Sequence, residues 1–262
     1  MTSPDASGPI ARLFDAHLHT EFAYCAEDTT AKSAVAAARE AGLAGAGVVE
    51  HADQLYFPRE GFWKRADADD LDAMRASVEA GGGRMAEYRA HVAPLRSDFV
   101  RLGLEVEPAV QGGLALLEED RDGWDFFLGG VHHLSEMNVK TASDSELAAA
   151  FMRATEKVVA GGVDALAHPF RFFGRHERRV PTDLYRPLAG MLTAHGVAAE
   201  INFHTNEPDP AFFAICLAEG VKLATGSDAH ARHEAGKLAP HLALLSEIGA
   251  LDRLDEILWR PG

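Results

Sequence analysis

Two histidines separated by a single leucine, His17 and His19, occur in the stretch LFDAHLHTEF. Alternate residues of a β-strand project from the same face, so a strand here presents both imidazoles on one side, beside Asp15. Imidazoles that share a face can bind one metal ion together. Two polar residues at an ordinary strand end produce the same pattern, and the rest of the sequence has to decide between the two interpretations.

Short apolar runs alternate with longer helical patterns along the chain, which is typical of βα units around a parallel sheet. We predict seven strands, near residues 12–17, 45–50, 100–106, 126–131, 163–167, 197–202 and 221–226. The helices between them have recognisable ends: TAKSAVAAAREAG begins at Thr29 or Thr30 and stops at Gly42, and SDSELAAAFMRATEKVVAGG begins at Ser143 or Asp144. The length of the chain fits one α/β barrel as well as two small domains.

Every predicted strand ends close to a residue that can bind a metal ion. Along the chain these residues are His17 with His19, His51, Glu105, His132 with His133, His168, Glu200 with Asn202, and Asp228 with His230. In a parallel barrel the carboxyl ends of all strands emerge on one rim, where active sites are built. Histidine and carboxylate ligands without thiolate partners suit Zn, Mn or Fe, and their number exceeds what one ion can use. The sequence therefore predicts two or three divalent transition-metal ions on that rim.

Five other residues are left out of the ligand set. His133 and Glu107 are expected to point away from the site by strand alternation. His91, His195 and His241 fall on predicted helices, where we expect surface or interface residues. The predicted ligands are thus confined to strand ends.

The charge of the chain is strongly negative: 25 basic and 40 acidic residues among 262 give a net charge of −15 and a pI near 5.2. Such a surface repels nucleic-acid phosphates and argues against DNA, RNA or anionic-membrane binding. Only Cys25 and Cys216 are present, too few for a disulfide framework, and no apolar run approaches membrane-spanning length. We expect a soluble cytoplasmic protein, and the sequence gives no prediction of its oligomeric state.

The connection between the second and third predicted strands, at about 54–98, differs from the others. It runs from QLYFPREGFWKRADADD to EAGGGRMAEY and mixes aromatic, charged and glycine-rich pieces. It is either an ordinary long surface connection or a lid with extra helices. We predict one domain over residues 1–262 that contains this inserted connection.

Seven motifs in this order, DAHLHT, VVEH, GLEVE, GGVHH, AHP, EIN and GSDAH, resemble those of the PHP (polymerase and histidinol phosphatase) family of metal-dependent phosphoesterases. The forms VEH, GVHH and GSDAH are most similar to the histidinol-phosphate phosphatase type. The resemblance spans nearly the whole chain and implies a distorted (β/α)7 TIM-like barrel with a metal site at the C-terminal rim of the strands. It also implies which residues share ions: His17, His19, Glu105 and Asp228 for one, Glu105, His132 and His168 for a second, and His51 with His230 for a third.

The reaction that this resemblance implies is hydrolysis of a small phosphate monoester, with L-histidinol phosphate as the leading substrate. Two cations can share a hydroxide at neutral pH and neutralise the phosphoryl oxygens in the transition state. We expect Asp228, His230 or His204 to exchange protons with the nucleophile or the leaving group. The basic segment HPFRFFGRHERR supplies the candidate phosphate-binding residues Arg171, Arg175 and His176.

Two other functions remain open. One is a binuclear barrel hydrolase of C–N bonds, a class that typically uses a lysine ligand in mid-chain, whereas Lys140 and Lys222 fall outside the predicted rim. The other is a PHP protein of the phosphodiesterase or exonuclease type, such as a module that serves a DNA polymerase. The acidic charge of the chain disfavours that function.

The chain departs from the family pattern just beyond the HxH pair, where the family often supplies one more histidine or aspartate ligand. The stretch here reads EFAYCAEDTT, with Cys25 in the position of that histidine and Glu27 and Asp28 nearby. Thiolate favours Zn, whereas carboxylate suits Mn or Fe. We predict that Glu27 completes the third site with His51 and His230. The alternative is that Cys25 packs as a small apolar residue and Asp28 caps the following helix.

Overall fold

The computed structural model describes residues 8–262, which contain seven strands. They are β1 (Phe14–Leu18), β2 (Gly45–Val48), β3 (Val100–Val106), β4 (Phe126–Gly129), β5 (Ala165–Leu166), β6 (Ala198–Asn202) and β7 (Leu223–Gly226). Each strand pairs in parallel with its neighbours in the chain, and β7 pairs with β1, so the seven strands form one closed barrel. The predicted strands are present in the predicted order, and the predicted seven-stranded TIM-like barrel is confirmed.

Helices surround the barrel. Those in the described residues are α1 (Ala31–Glu40), α2 (Leu71–Glu79), α3 (Met85–Val92), α4 (Asp144–Ala160), α5 (Arg171–Arg175), α6 (Tyr185–His195), α7 (Pro210–Ala218), α8 (Ala239–Glu247) and α9 (Leu254–Ile257). On one side α4, α6, α7 and α8 pack against one another in that order. Among residues 8–262, no helix combines the length and the apolar character that crossing a membrane requires.

Two of these helices begin at the residues that their sequence signals indicate. Thr30 caps α1 by accepting the backbone N–H of Ser33 at 3.1 Å, and Ser143 caps α4 by accepting the backbone N–H of Glu146 at 3.3 Å. Both caps are completed by the reciprocal side-chain bond of a capping box. Asp28 is therefore not the cap of α1; its Oδ1 instead accepts the backbone N–H of Arg232 at 2.9 Å.

Apolar side chains fill the amino-terminal half of the barrel. The ring of Phe126 lies so close to Gly47 and Gly103 that a Cβ at these positions would stand 2.7 and 2.9 Å from its Cζ. Trp259 packs edge-on against Phe126, with ring centroids 5.7 Å apart, and covers this end. The other residues of this interior cluster are small or aliphatic: Val49, Leu128, Ala165, Ala167, Ala198 and Ala224. The polar residues at the carboxyl ends of the strands thus lie above an apolar plug.

The connection between β2 and β3 carries α2 and α3, so it contains helices of its own. Phe62 anchors its first part, because its buried ring packs edge-on against Tyr24 with centroids 5.2 Å apart. Trp63, the next residue, is exposed and lines the cavity described below. The division into one domain with an inserted connection at about 54–98 stays a prediction.

Candidate metal centre

The strand ends bring the predicted ligands together at the carboxyl rim of the barrel. Three groups of side chains have ligand atoms that all lie within 4.8 Å of one another: His17, His19 and Glu105; Glu105, His132 and His168; and His19, His51 and His230. Glu105 belongs to two groups and so does His19, which means that the groups adjoin. We call these seven residues, together with Asp228, the ligand cluster.

Asp228 lies beside the first group. Its Oδ1 is 3.2 Å from Nε2 of His19 and 3.6 Å from Nε2 of His17. Oε2 of Glu105 is 3.4 Å from the same nitrogen of His17 and 3.6 Å from that of His19. Two imidazoles and two carboxylates thus converge on one small volume, and this donor set is one that Zn, Mn or Fe prefers.

Two buried carboxylates outside the cluster orient the first two imidazoles. Glu200 Oε1 is 2.8 Å from Nδ1 of His17, and Glu50 Oε1 is 3.2 Å from Nδ1 of His19. When each Nδ1 donates to its carboxylate, both Nε2 atoms carry lone pairs, and these two atoms are only 3.1 Å apart. Two lone pairs at this separation repel unless a proton or a metal ion lies between them. The arrangement therefore fits a metal ion.

Unpartnered oxygens support the same conclusion. Glu105 Oε2 and Asp228 Oδ1 are buried and accept no well-aligned hydrogen bond from residues 8–262, although Nδ1 of His51 lies 2.8 Å from the Glu105 oxygen. Burial opposes their ionisation, but the surrounding histidines, and Arg171 in the case of Asp228, hold the pKa of both carboxyl groups well below its usual range. A buried ionised oxygen without a donor is costly unless a cation binds it. Both side chains are thus suited to a metal.

Glu107 orients a third imidazole, that of His132. Its Oε2 accepts the backbone N–H of His132 at 3.0 Å, and its Oε1 contacts Nδ1 of the ring. The expectation that Glu107 points away from the site is therefore wrong. Residues two apart lie on the same side of an extended chain, so strand alternation itself places Glu107 on the side of Glu105.

Two residues of the cluster have strained backbones. His168 has φ of 32° and Asp228 has φ of 53°, values that non-glycine residues rarely adopt and that cost on the order of 1–3 kcal/mol each.

Burial and the charge of Arg171 lower the pKa of His168 to about 3, and burial and His19 lower the pKa of His230 to about 2. The lowered pKa values favour the neutral form of both rings, which is the form that binds a metal ion.

Of the predicted phosphate-binding residues, Arg171 lies deepest. It is buried at the start of α5, donates through Nη1 to Asp228 Oδ2 and through Nη2 to Nε2 of His132 at 2.6 Å. Arg175 is exposed at the end of the same helix, and His176 follows it. The structure thus places Arg171 in contact with the cluster and the other two residues farther out.

A cavity of about 400 Å³ opens over the cluster, lined by His51, His132 and His230 from the cluster and by Arg171 and Arg175. Asp53 and Glu107 also line it, and burial raises the pKa of each to about 7. The space therefore combines metal-binding groups with both basic and acidic side chains, and its size is typical of a small-molecule site.

The remaining predicted site residues lie on the wall of this cavity. His204 stacks on His230 with ring centroids 4.9 Å apart, and its Nδ1 is 3.3 Å from Oε1 of Glu234. Glu27 is exposed and belongs to none of the three groups. Sγ of Cys25 is 3.6 Å from Nε2 of His51. The structure thus brings Cys25, rather than the predicted Glu27, against a ligand of the cluster.

The histidines left out of the ligand set lie in different surroundings. His91 and His195 are exposed, as expected, and His133 is exposed on the cavity wall. His241 is buried, and its Nε2 is 3.0 Å from the carbonyl oxygen of Gly226, so its prediction as a surface or interface residue is wrong. A histidine on a helix face that packs against a barrel can satisfy a strand carbonyl, which sequence position alone does not reveal.

Fold and site together define a class: a parallel barrel whose carboxyl rim carries clustered imidazoles and carboxylates is typical of metal-dependent barrel enzymes. The family model of the PHP domain matches residues 15–204, more than half of the chain, and the chain belongs to the PHP family. It is accordingly a metal-dependent phosphoesterase.

Two solved structures resemble the fold. A histidinol phosphate phosphatase (HISK) from Lactococcus lactis subsp. lactis Il1403, complexed with zinc, L-histidinol and phosphate, has a TM-score of 0.58 and 16% identity over 91% of this chain and 94% of that one. The putative histidinol phosphatase hisK from Listeria monocytogenes has a TM-score of 0.50 and 15% identity over 86% and 97%. Comparison with curated protein sequences gives no match.

Proposed function

We propose that the protein hydrolyses a small phosphate monoester at the ligand cluster. The observation that carries this proposal is the union of two features in one cavity: adjoining groups of metal-binding side chains, and the guanidinium groups of Arg171 and Arg175. Divalent ions, when bound, supply positive charge to phosphoryl oxygens and lower the pKa of water. Guanidinium groups bind such oxygens through paired, charge-assisted hydrogen bonds.

In this proposal the residues of the cluster divide between three ions. His17, His19, Glu105 and Asp228 would hold one ion, Glu105 with His132 and His168 would hold a second, and His51 with His230 would hold a third, with Glu27 or Cys25 as its further ligand. The grouping of the ligand atoms, in which Glu105 belongs to two groups, supports this division. Titration of Glu27→Gln and Cys25→Ser with metal distinguishes the two candidates, because the variant that lacks the true ligand binds one ion fewer.

Phosphate binding is assigned to Arg171, Arg175 and His176. Arg171 is fixed by its contacts with Asp228 and His132, so it holds a positive charge at the edge of the cluster without further ordering. The side chain of Arg175 makes no hydrogen bond or ion pair with residues 8–262 and is free to bind an incoming phosphate. His176, next to it, lies where it can assist.

Proton transfer is assigned to Asp228, His230 and His204. Asp228 and His230 lie within the cluster, where a nucleophilic water has to be deprotonated. His204 lines the cavity, and its Nδ1 is 3.3 Å from Oε1 of Glu234, so Nε2 is the nitrogen without that contact. There it can protonate the oxygen of the departing alcohol.

The first substrate to test is L-histidinol phosphate, because the Lactococcus lactis protein of similar fold was solved with L-histidinol and phosphate. Sugar phosphates and small nucleotides are the next substrates to test, because a cavity of about 400 Å³ has the size of a small-molecule site. The same neighbour was solved with zinc, and Mn and Fe remain alternatives for a site of imidazoles and carboxylates.

A phosphate-release screen tests this function. Protein loaded with Zn or Mn is assayed against histidinol phosphate, sugar phosphates, nucleotides and cyclic nucleotides. We expect hydrolysis of at least one monoester and loss of roughly a hundredfold or more in kcat in His19→Ala and Asp228→Asn. His195→Ala, at an exposed helix end, is the matched control and should retain wild-type rates. Wild-type rates in His19→Ala and Asp228→Asn contradict the assignment, and so does an equal loss in the control.

A further inference from the structure

A groove beside the catalytic cavity is lined mainly by basic side chains. Its volume is about 460 Å³, and its lining residues are Val139, Lys140, Arg175, His176, Glu177 and Arg178. Arg175 borders both this groove and the cavity over the ligand cluster, so the two spaces adjoin at that side chain. Arg175 can therefore contact a ligand in either space.

The charge of this groove is opposite to that of the protein. Acidic residues outnumber basic ones by 40 to 25 in the whole chain, yet four of the six lining residues are Lys, Arg or His and only Glu177 is acidic. Arg178 is held in place, since it donates to Asp144 at 3.0 Å and to the carbonyl oxygen of Val139 at 3.1 Å.

Lys140 and Arg175, in contrast, have no partner for their charges. Neither side chain makes a hydrogen bond or an ion pair within residues 8–262, although carboxylates are abundant on this surface. Both are exposed, and both line the groove. Burial, followed by the charges of Arg175 and Arg178, lowers the pKa of His176, so both guanidinium groups lie close enough to act on this ring.

We propose that this groove binds a second anionic group of the substrate, a phosphate or a carboxylate several bonds away from the phosphate ester that is cleaved. The proposal rests on the proposed hydrolysis of a phosphate monoester. Arg175 then lies between the two anionic groups, and Lys140 and Arg178 bind the second one. The favoured substrates are small bisphosphates and phosphorylated acids.

Matched pairs of substrates test the proposal, because the members of each pair differ mainly in the second anionic group. Suitable pairs are glycerol phosphate with phosphoglycerate, and fructose 6-phosphate with fructose 1,6-bisphosphate. For at least one pair we expect kcat/KM to be roughly tenfold higher for the substrate with the second anion, mainly through a lower KM. This preference should shrink as salt rises from about 0.01 to 0.5 M, because the interacting charges are exposed.

Variants at Lys140 connect the preference to the groove. Lys140→Ala should reduce the ratio of kcat/KM within the preferred pair about threefold or more, and Lys140→Glu should reduce it further. Lys32→Ala, an exposed lysine on α1 that lines none of these spaces, is the matched control and should keep the wild-type ratio.

The two proposals fail in different ways. If metal-loaded protein hydrolyses simple monophosphates but treats both members of every pair equally, the groove proposal is overturned and the proposed function stands. A preference that persists unchanged in Lys140→Glu also overturns it. If no phosphate ester of any kind is hydrolysed, the proposed function falls and the groove proposal falls with it.

Discussion

A methyl group added at Gly226 should disrupt the candidate metal centre from the floor of the site. Gly226 is the last residue of β7, and a Cβ there would stand 1.9 Å from Oε1 of Glu200 and 2.8 Å from Cβ of His17. Glu200 must therefore move in Gly226→Ala. The contact of 2.8 Å between Glu200 and Nδ1 of His17, which orients this imidazole, is then lost.

The expected magnitudes follow from these contacts. Overpacking of a filled interior costs about 1–3 kcal/mol in the free energy of unfolding. Loss of a carboxylate that orients a metal-binding histidine reduces metal affinity about 10–100-fold. We therefore expect Gly226→Ala to bind Zn about 10–100-fold more weakly than wild type, and its free energy of unfolding to fall by about 1–3 kcal/mol.

The assay is competition for Zn between metal-free protein and a chromophoric chelator, with urea unfolding followed by circular dichroism on the same samples. Gly190→Ala is the matched control, because a Cβ at this exposed position of α6 meets no atom within 4 Å. It should leave Zn affinity unchanged and raise stability by about 0.5–1 kcal/mol through helix propensity. A folded Gly226→Ala protein with wild-type Zn affinity refutes the reasoning.

Three further predictions concern affinity, pH and metal removal. Glu200→Gln should weaken Zn binding about 10–100-fold in the same competition assay, whereas Glu207→Gln, an exposed control, should not change it. In metal-free protein, burial raises the pKa of Asp53 from 3.8 to about 7, so the folded state retains a proton that the unfolded state has released. That stabilisation is present below pH 3.8 and is lost as pH rises through 7. In urea unfolding near pH 8, Asp53→Asn should therefore be more stable than wild type by about 1–2 kcal/mol after allowance for solvent screening. Near pH 4 the two proteins should approach the same stability. An equal difference at both pH values contradicts this prediction. Removal of metal with a chelator should lower Tm by several degrees and abolish phosphate release, and both should return when Zn or Mn is added.

The fold could be predicted from the sequence because each strand is a short apolar run between glycine or capping signals. The largest difference concerns the fifth strand, predicted at 163–167 and observed as Ala165–Leu166. The backbone N–H groups of Asp164 and Ala167 still donate to the carbonyl oxygens of Phe127 and Gly129, at 2.9 and 2.8 Å. The short strand therefore reflects where pairing is regular rather than a lack of hydrogen bonds, and apolar composition does not encode that regularity.

Strand-end ligands were equally accessible to prediction, since parallel topology brings them to one rim whatever their distance in sequence. The role of the carboxylates that orient them was not, although Glu200 itself was found at a strand end. Glu50, which follows β2, contacts His19, which follows β1. Glu107, which follows β3, contacts His132, which follows β4. The motif VVEH contains the signal for Glu50, because a carboxylate next to a ligand at a strand end can reach the neighbouring strand. The burial of Arg171 depends on the fold of α5 and has no local signal.

The most direct test of the central claim is anomalous X-ray scattering from crystals of the protein grown with zinc. Our account predicts at least two peaks per chain at the zinc edge, one in contact with His17, His19 and Glu105 and one in contact with Glu105, His132 and His168. Crystals of folded protein with saturating zinc and no peak at either group contradict it.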